Sequence, residues 1–583
     1  MKIISVLGFL LILFANVLIA SPGDSVGMTG YELQRLGSFG QRLYVDDLHQ
    51  VHICWTKVPF PYSSAQKRVE WNFRYADGSY YGEVDASPFT SGYGTLDVTR
   101  DSNPAMQRTV IGYHFNTGTN AYYPFFDIDA GNGFGSLPND PKNPPNTNGM
   151  LWPCVARVNN GSIIMATDDM AGNFHHLFVT TDEGFTWTNP ANFDSASLLN
   201  HFIRSSNNHG SNKVIFVNTQ YISDSMAYGE LDNDIYYMLS TDGGVTWGPR
   251  INITHYQGLD TARAYLGINA IFDLNDNLHI AWEGRHVNTG AYYDASKIYH
   301  WDEVSNTISV VSGPNPLFPG GWWQWRDGIT YGILRLPCDE PQMVVDRSTG
   351  WLYCLWHGQT DTTDYSMLGY TNKDIYGSYS TDGGLTWCAG GSPNGYVNLT
   401  NTHTPGAPPG QCENEDFMTA NPFTVGDSIF ITYIEDKDGG TKANSEGDTT
   451  DNPVRMWAFH KSLITGVPAV EEAKPTKPIV ISLNISPNPF RTRTDIRLQI
   501  TDNGIQTDNR YGITDRNLQI VKLQIFDISG RLVKSFSLSD IGHQLSVIWR
   551  GEDDAGRVLP PGVYFFTLKS GDHTEIVKAV YVR

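Results

Sequence analysis

The sequence predicts an all-β chain built from a repeated strand unit, and three observations carry that reading. One eight-residue turn occurs three times: 180–187 (TTDEGFTW), 240–247 (STDGGVTW) and 380–387 (STDGGLTW). Each copy follows a strand-like run, of which Asp234-Ile235-Tyr236-Tyr237-Met238-Leu239 is typical. The composition, with 57 Gly beside 15 Trp, 30 Tyr and 27 Phe, suits short strands and tight turns better than long helices. Within the turn every part has a physical reason. Asp accepts hydrogen bonds from its own backbone, Gly permits positive φ, and Trp pins the turn to apolar surface.

This pattern, [ST]-x-D-x-G-x-T-W, resembles the Asp box of sialidases and other exported β-propellers. The resemblance implies a propeller in which Asp182, Trp187, Asp242, Trp247, Asp382 and Trp387 are structural, remote from any chemistry. Recurrence of the same turn after the same kind of strand argues for a repeat architecture.

Taken in order, the chain opens with Lys2, an apolar run from Ile3 to Phe14 and a small residue at Ala20, so residues 1–20 read as a signal peptide. Residues 26–463 then repeat strand, turn, strand, loop, strand, boxed turn, strand. Second strands are expected at 51–55, 110–113, 162–167, 214–217, 278–282, 352–356 and 429–433. That gives a seven-bladed propeller, with six blades as the alternative because the second unit is irregular. The seventh unit lacks a fourth strand, which residues 28–36 are expected to supply. Residues 464–480 read as a linker. Residues 481–583, with strands separated by Gly turns, read as a small immunoglobulin-like β-sandwich. Pro487-Asn488-Pro489-Phe490 and Gly562-Val563-Tyr564-Phe565 resemble the C-terminal sorting domain of type IX secretion cargo. That resemblance implies a secreted or outer-membrane surface protein that engages export machinery.

The net charge of −21 argues against a nucleic-acid partner. A monomer is expected. Cys388 and Cys412 flank a Pro/Gly-rich loop and are expected to form a disulfide. No cofactor is expected. Calcium stays open through Asp127-Ile128-Asp129-Ala130-Gly131-Asn132-Gly133, although a distal glutamate is missing and a polar turn is the better reading. No metal site is assigned.

Nearly all long insertions (135–149, 312–339, 389–411, 436–452) fall on one rim, which is therefore the expected functional face. Glu283, Glu340 and Asp416 are the catalytic candidates there, because a carboxyl pair can supply acid and base or nucleophile for glycosidic cleavage. Arg263, Arg285, Arg326, His357 and Trp325 are the substrate-binding candidates. Arginine pairs with anionic sugars, and the flat rings of Trp322, Trp323 and Trp325 suit sugar faces. The sialidase Arg-Ile-Pro tripeptide is missing, so that family's catalytic set does not transfer. The expectation is a secreted glycan-acting propeller, a sialidase-like glycoside hydrolase or else a non-catalytic glycan-binding adhesin.

Overall fold

The computed structural model describes residues 21–582. It excludes 38, 119–120, 170–173, 193–196, 222–232, 257–261, 289–290, 316–320, 325–334, 360–361, 467–479, 503–504, 507–521, 537–545 and 571–572. The expected signal peptide, most of the expected linker, and the candidates Trp325 and Arg326 lie outside the described residues. The chain forms two compact units, Met1–Pro468 and Ala469–Arg583.

Among the described residues the first unit holds seven antiparallel sheets, and its fold is an all-β propeller. The inner strands are Leu43–Val45, Ser91–Val98, Met150–Arg157, Ser197–Ser205, Ala262–Phe272, Cys338–Val345 and Asn414–Ala420. Each lies against the next, and the last lies against the first, so the sheets close a ring. Every residue of Ala262–Phe272 and Cys338–Val345 is buried. Strands covered on both faces do not alternate, and the polar side chains they carry, Arg263, Asn269, Asp339, Glu340 and Gln342, are buried with the rest. The second sheet, the irregular one in sequence, shows three strands, with Lys142 bridging Phe126 at its outer edge.

Ring closure comes from Asp24–Thr29, which pairs with Asn452–His460 from Asp24↔Met456 to Thr29↔Asn452. Expectation had placed this strand at 28–36, a few residues too late. The chain leaves the sheet at Gly30, whose N–H donates to Val58 O, and residues 31–37 and 39–41 then lie across the ring's funnel. Leu33 and Phe39 are buried there. They could not also serve as strand residues.

The three boxed turns are hydrogen-bonded alike. In the third, Ser380 Oγ donates to Asp382 (2.7 Å), Thr386 N–H donates to Asp382 (3.0 Å) and Trp387 Nε1 donates to Gly384 O (3.0 Å). Each turn also grips the preceding sheet. Trp187 packs on Phe126 at 5.4 Å and Trp387 on His300 at 5.3 Å. Gly384, at φ +90°, fits so closely that a Cβ there would lie 2.0 Å from the His300 ring.

The expected Cys388–Cys412 disulfide is not formed, and both are free thiols. Cys388 sits exposed just past the boxed turn and bridges Tyr379. Cys412 is buried near Ala407 O, at the start of the next inner strand. Cys388 stays with the sixth sheet through Tyr379, whereas Cys412 N–H donates to Lys437 O just past Ser428–Asp436 of the seventh, so the two belong to different sheets.

The second unit is described from Val480. One sheet holds Val480–Ser486, Thr494–Asp502, Ile505–Gln506 and Ser546–Trp549; the other holds Lys522–Asp527, Leu532–Phe536, Gly562–Ser570 and His573–Tyr581. Both enclose one core around Phe490, Trp549, Phe566 and Tyr581, making a β-sandwich.

Candidate functional site

Six inner strands break register, and in four of them a residue inside the break has positive φ. These are Tyr93 (φ 54°), Trp152 (50°), Glu340 (59°) and Phe417 (52°). A bulge re-aims one side chain per strand, and such backbone costs on the order of 1–3 kcal/mol wherever a non-glycine adopts it. All four side chains are buried, and they meet residues 31–39.

Arg35, from that crossing segment, ion-pairs with Glu340; its Nε donates at 2.8 Å. Arg335 reaches both Glu340 (3.1 Å) and Asp416, and its guanidinium lies 3.9 Å from the Phe417 ring centroid. Glu283 accepts Leu266 N–H at 3.0 Å and Glu340 N–H at 2.9 Å. Gly267 allows this approach, since a Cβ there would fall 2.4 Å from Glu283 Oε2. Burial, reinforced by the charge of Asp339, pushes the Glu283 carboxyl up to about 7. The structure thus brings Glu283, Glu340, Asp416 and His357 into one buried network. Leu33, Arg35, Leu36 and Phe39 cover it, leaving a cavity of about 20 Å³, room for one water.

Asp339, Glu340 and His357 place ligand-type atoms within 4.8 Å of one another. The hydrogen bonding argues against a cation there. Met418 N–H donates to His357 Nε2 at 3.1 Å, so the neutral ring carries its proton on Nδ1. That Nδ1 faces Glu340 (3.3 Å) and Asp339 (3.7 Å) as a donor, leaving no lone pair for a metal. Burial, then Lys373, Arg35 and Arg335, hold the imidazole well below its usual range. In the Asp127–Gly133 segment, Asp127 accepts Asp140 N–H (3.0 Å) and Asp129 accepts Ser136 N–H (2.9 Å), so these carboxylates act as turn formers.

Arg263 and Arg285 are direct cross-strand partners, both buried, lying over Tyr256 (5.7 Å) and Tyr265 (5.3 Å). The expected tryptophan platform is divided. Trp323 is wholly buried against Trp356, Tyr376 and Tyr396, an anchor for its loop. Trp322 packs beside His286 at 4.5 Å.

A second constellation escaped the sequence reading. Lys67 Nζ lies 4.7 Å from the Tyr93 ring and 5.3 Å from the Tyr31 ring. The hydroxyls of Tyr31 and Tyr93 are 2.5 Å apart. His114 packs on Tyr93 at 5.2 Å and accepts Trp152 N–H. Among the described residues no carboxylate pairs with Lys67, and burial alone lowers its ammonium to about 8. Tyr31 stacks on Tyr62 at 6.4 Å, and Tyr62, with Phe60, Lys442, Thr449, Asp448 and Asp451, lines an open cavity of about 720 Å³. Nothing in the Gln66-Lys67-Arg68 run marks Lys67; only the fold sets it among the rings.

No protein-family model matches the chain, and no curated protein matches it. Among solved structures it is similar to an ulvan lyase bound to a GlcA–Rha3S oligosaccharide, at 11% identity and TM-score 0.45, over 76% of this chain and 95% of that one. It is also similar to an α-L-arabinofuranosidase of Fusarium graminearum (9%, TM-score 0.35, over 77% and 99%). The NanB sialidase of Streptococcus pneumoniae is a third (11%, TM-score 0.36, over 77% and 71%).

Proposed function

We propose that the protein engages an anionic glycan on its long-loop face, seated in the cavity lined by Phe60 and Tyr62 with an acidic group directed to Lys67. Lys67 carries the proposal. In a chain of net charge −21, a part-buried ammonium lacking a carboxylate partner among the described residues is a standing site for an anion. Exposed Phe60 and part-exposed Tyr62 offer ring faces to sugars, while Thr449, Asp448 and Asp451 offer hydrogen bonds. Titration of the purified protein with uronate-containing, sulfated and neutral polysaccharides tests this. The acidic ones should bind, and Lys67→Met should weaken them about tenfold or more, as loss of a desolvated ion pair does. Equal binding by Lys67→Met, or no binding at all, overturns the proposal.

Hydrolysis is a second reading, favoured by Glu283. A buried carboxyl near 7 beside an Arg-paired Glu340 is the asymmetry an acid–base pair needs. Residues 33–39 would have to withdraw first. New reducing ends that disappear about 10³-fold in Glu283→Gln would support it. Export through residues 1–20 and the C-terminal sandwich stays part of the proposal, resting on the sequence motifs; a secreted mature chain retaining residue 583 would contradict the sorting role.

A further inference from the structure

Ser21, the first described residue, is buried, and its surroundings are unusual for a mid-chain serine. Its backbone N–H donates to Glu413 Oε2 at 3.1 Å. Its Oγ lies 2.7 Å from Glu413 Oε2 and 2.5 Å from Glu415 Oε1. A hydroxyl has one proton, so it serves only one of these oxygens as donor. The following residues are fixed as firmly: Tyr433 OH donates to Pro22 O, and Arg455 Nη1 donates to Gly23 O at 3.2 Å. The closing strand begins at the next residue, Asp24.

The charges around Ser21 do not balance. Asp374, Glu413, Glu415 and Glu435 gather here, whereas Lys437 and Arg455 are the cations that pair with them among the described residues. Lys437 reaches Glu413 and Glu435, and Arg455 reaches Glu435. Among the described residues the Glu415 carboxyl is met by the hydroxyls of Ser21, Thr400 and Thr402. Burial and the neighbouring Asp374 hold it well above the usual carboxylate range. The Ser21 nitrogen lies against Glu413, on the same residue whose Oγ touches both carboxylates, and as an amide it brings one proton and no charge. In sequence, that same nitrogen follows the small Ala20 at the end of an apolar run, where an export peptidase would cut.

We propose that the Ala20–Ser21 bond is a processing site, and that the α-ammonium released at Ser21 is the cation this acidic pocket is built to hold. A peptidase adds water across the bond: the C–N bond breaks, Ala20 leaves as a carboxylate, and Ser21 keeps the nitrogen as an ammonium. That group carries three N–H donors, enough for Glu413 and Glu415 together, and supplies the missing positive charge. Cleavage thereby fastens the strand that closes the ring.

The test compares two full-length secreted forms, one beginning at Ser21 and one with a single extra glycine before it, which leaves the Ser21 nitrogen an amide. N-terminal sequencing of the naturally exported protein should read Ser21. The Ser21 form should melt about 3 °C or more above the extended form, a shift expected for a modest ionic gain in a chain of this size. Its α-amine should also be labelled by reductive methylation about tenfold more slowly than in Glu413→Gln/Glu415→Gln, corresponding to one pKa unit. An exported chain that starts elsewhere, or equal melting of the two forms, overturns the proposal. The comparison of forms needs no substitution, so it stands even where the double variant folds poorly.

Discussion

The backbone N–H of Glu340 donates to the Glu283 carboxylate at 2.9 Å, joining the fifth sheet to the sixth at the level where Glu340 adopts φ 59°. The bond ties the strained bulge to a carboxyl that is itself out of its usual range, and this makes Glu283 a probe of the funnel.

Stability should reveal that probe through pH. The Glu283 carboxyl rises from an ordinary 4.5 to about 7 in the folded state, so between those values the folded chain holds more protons than the unfolded one. The group's contribution is therefore intact below about 4.5 and is lost as pH rises toward 7. Relative to Glu283→Gln, the wild type should lose on the order of 3 kcal/mol across this window, since each unit is worth about 1.4. Denaturant titrations of both proteins at pH 5 and pH 8 provide the check; a constant difference would contradict the raised value.

Neighbouring glycines of one boxed turn should respond very differently. A Cβ on Gly383 meets nothing within 4 Å, so Gly383→Ala should cost only the backbone penalty, about 1 kcal/mol. Gly384→Ala drives a methyl into His300 and should cost about 3 kcal/mol or more. Trp387→Ala falls between, near 2 kcal/mol, because the ring is only part-buried. Thermal or chemical unfolding of the three variants should rank them in that order.

Glycan affinity should fall with pH around Lys67. Its ammonium is charged below about 8 and neutral above, so an acidic polysaccharide should bind at pH 7 and weaken progressively as pH passes 8. Lys67→Met should be weak at both values. A wild-type affinity unchanged to pH 9 would place the anion elsewhere.

Thiol chemistry should separate the two cysteines expected to be joined. Cys388 is exposed and should react with a thiol reagent in the native protein. Cys412, buried and pushed up to about 12, should react only after unfolding. Denatured but unreduced protein should titrate all 6 cysteines of the chain.

The architecture was legible because its signals are local. The boxed turns announce themselves through Asp382, Gly384 and Trp387, and the hydrogen bonds that Asp382 accepts lie within one turn. The long-loop rim follows from strand order and loop length. The interior of the funnel follows from neither. Leu33 and Arg35 fall within the run expected as a strand, and their role across the ring axis depends on where bulges and loops distant in sequence meet. Glu283, Glu340 and Asp416, named together from the sequence, lie in one buried network, because their strands belong to three consecutive sheets of the ring. Their cover was invisible, as was Lys67, whose significance depends on two tyrosines 36 and 26 positions away in sequence, Tyr31 and Tyr93. Trp323 misled for a related reason: a cluster of indoles in a long loop looks the same whether it faces a sugar or a core.

The pairing of Asp24–Thr29 with Asn452–His460 has a consequence for how the chain is born. During synthesis or export the closing strand emerges first, yet its partner follows more than four hundred residues later. Until then the outer edge of the last sheet does not exist, and residues 24–29 are an unpaired edge in search of a neighbour. Their own sequence limits the hazard, for Asp24 and Gly27 make a short, poorly adhesive strand. Completion of the ring is therefore a late, long-range event, and a ribosome stalled before residue 452 would release a chain unable to close.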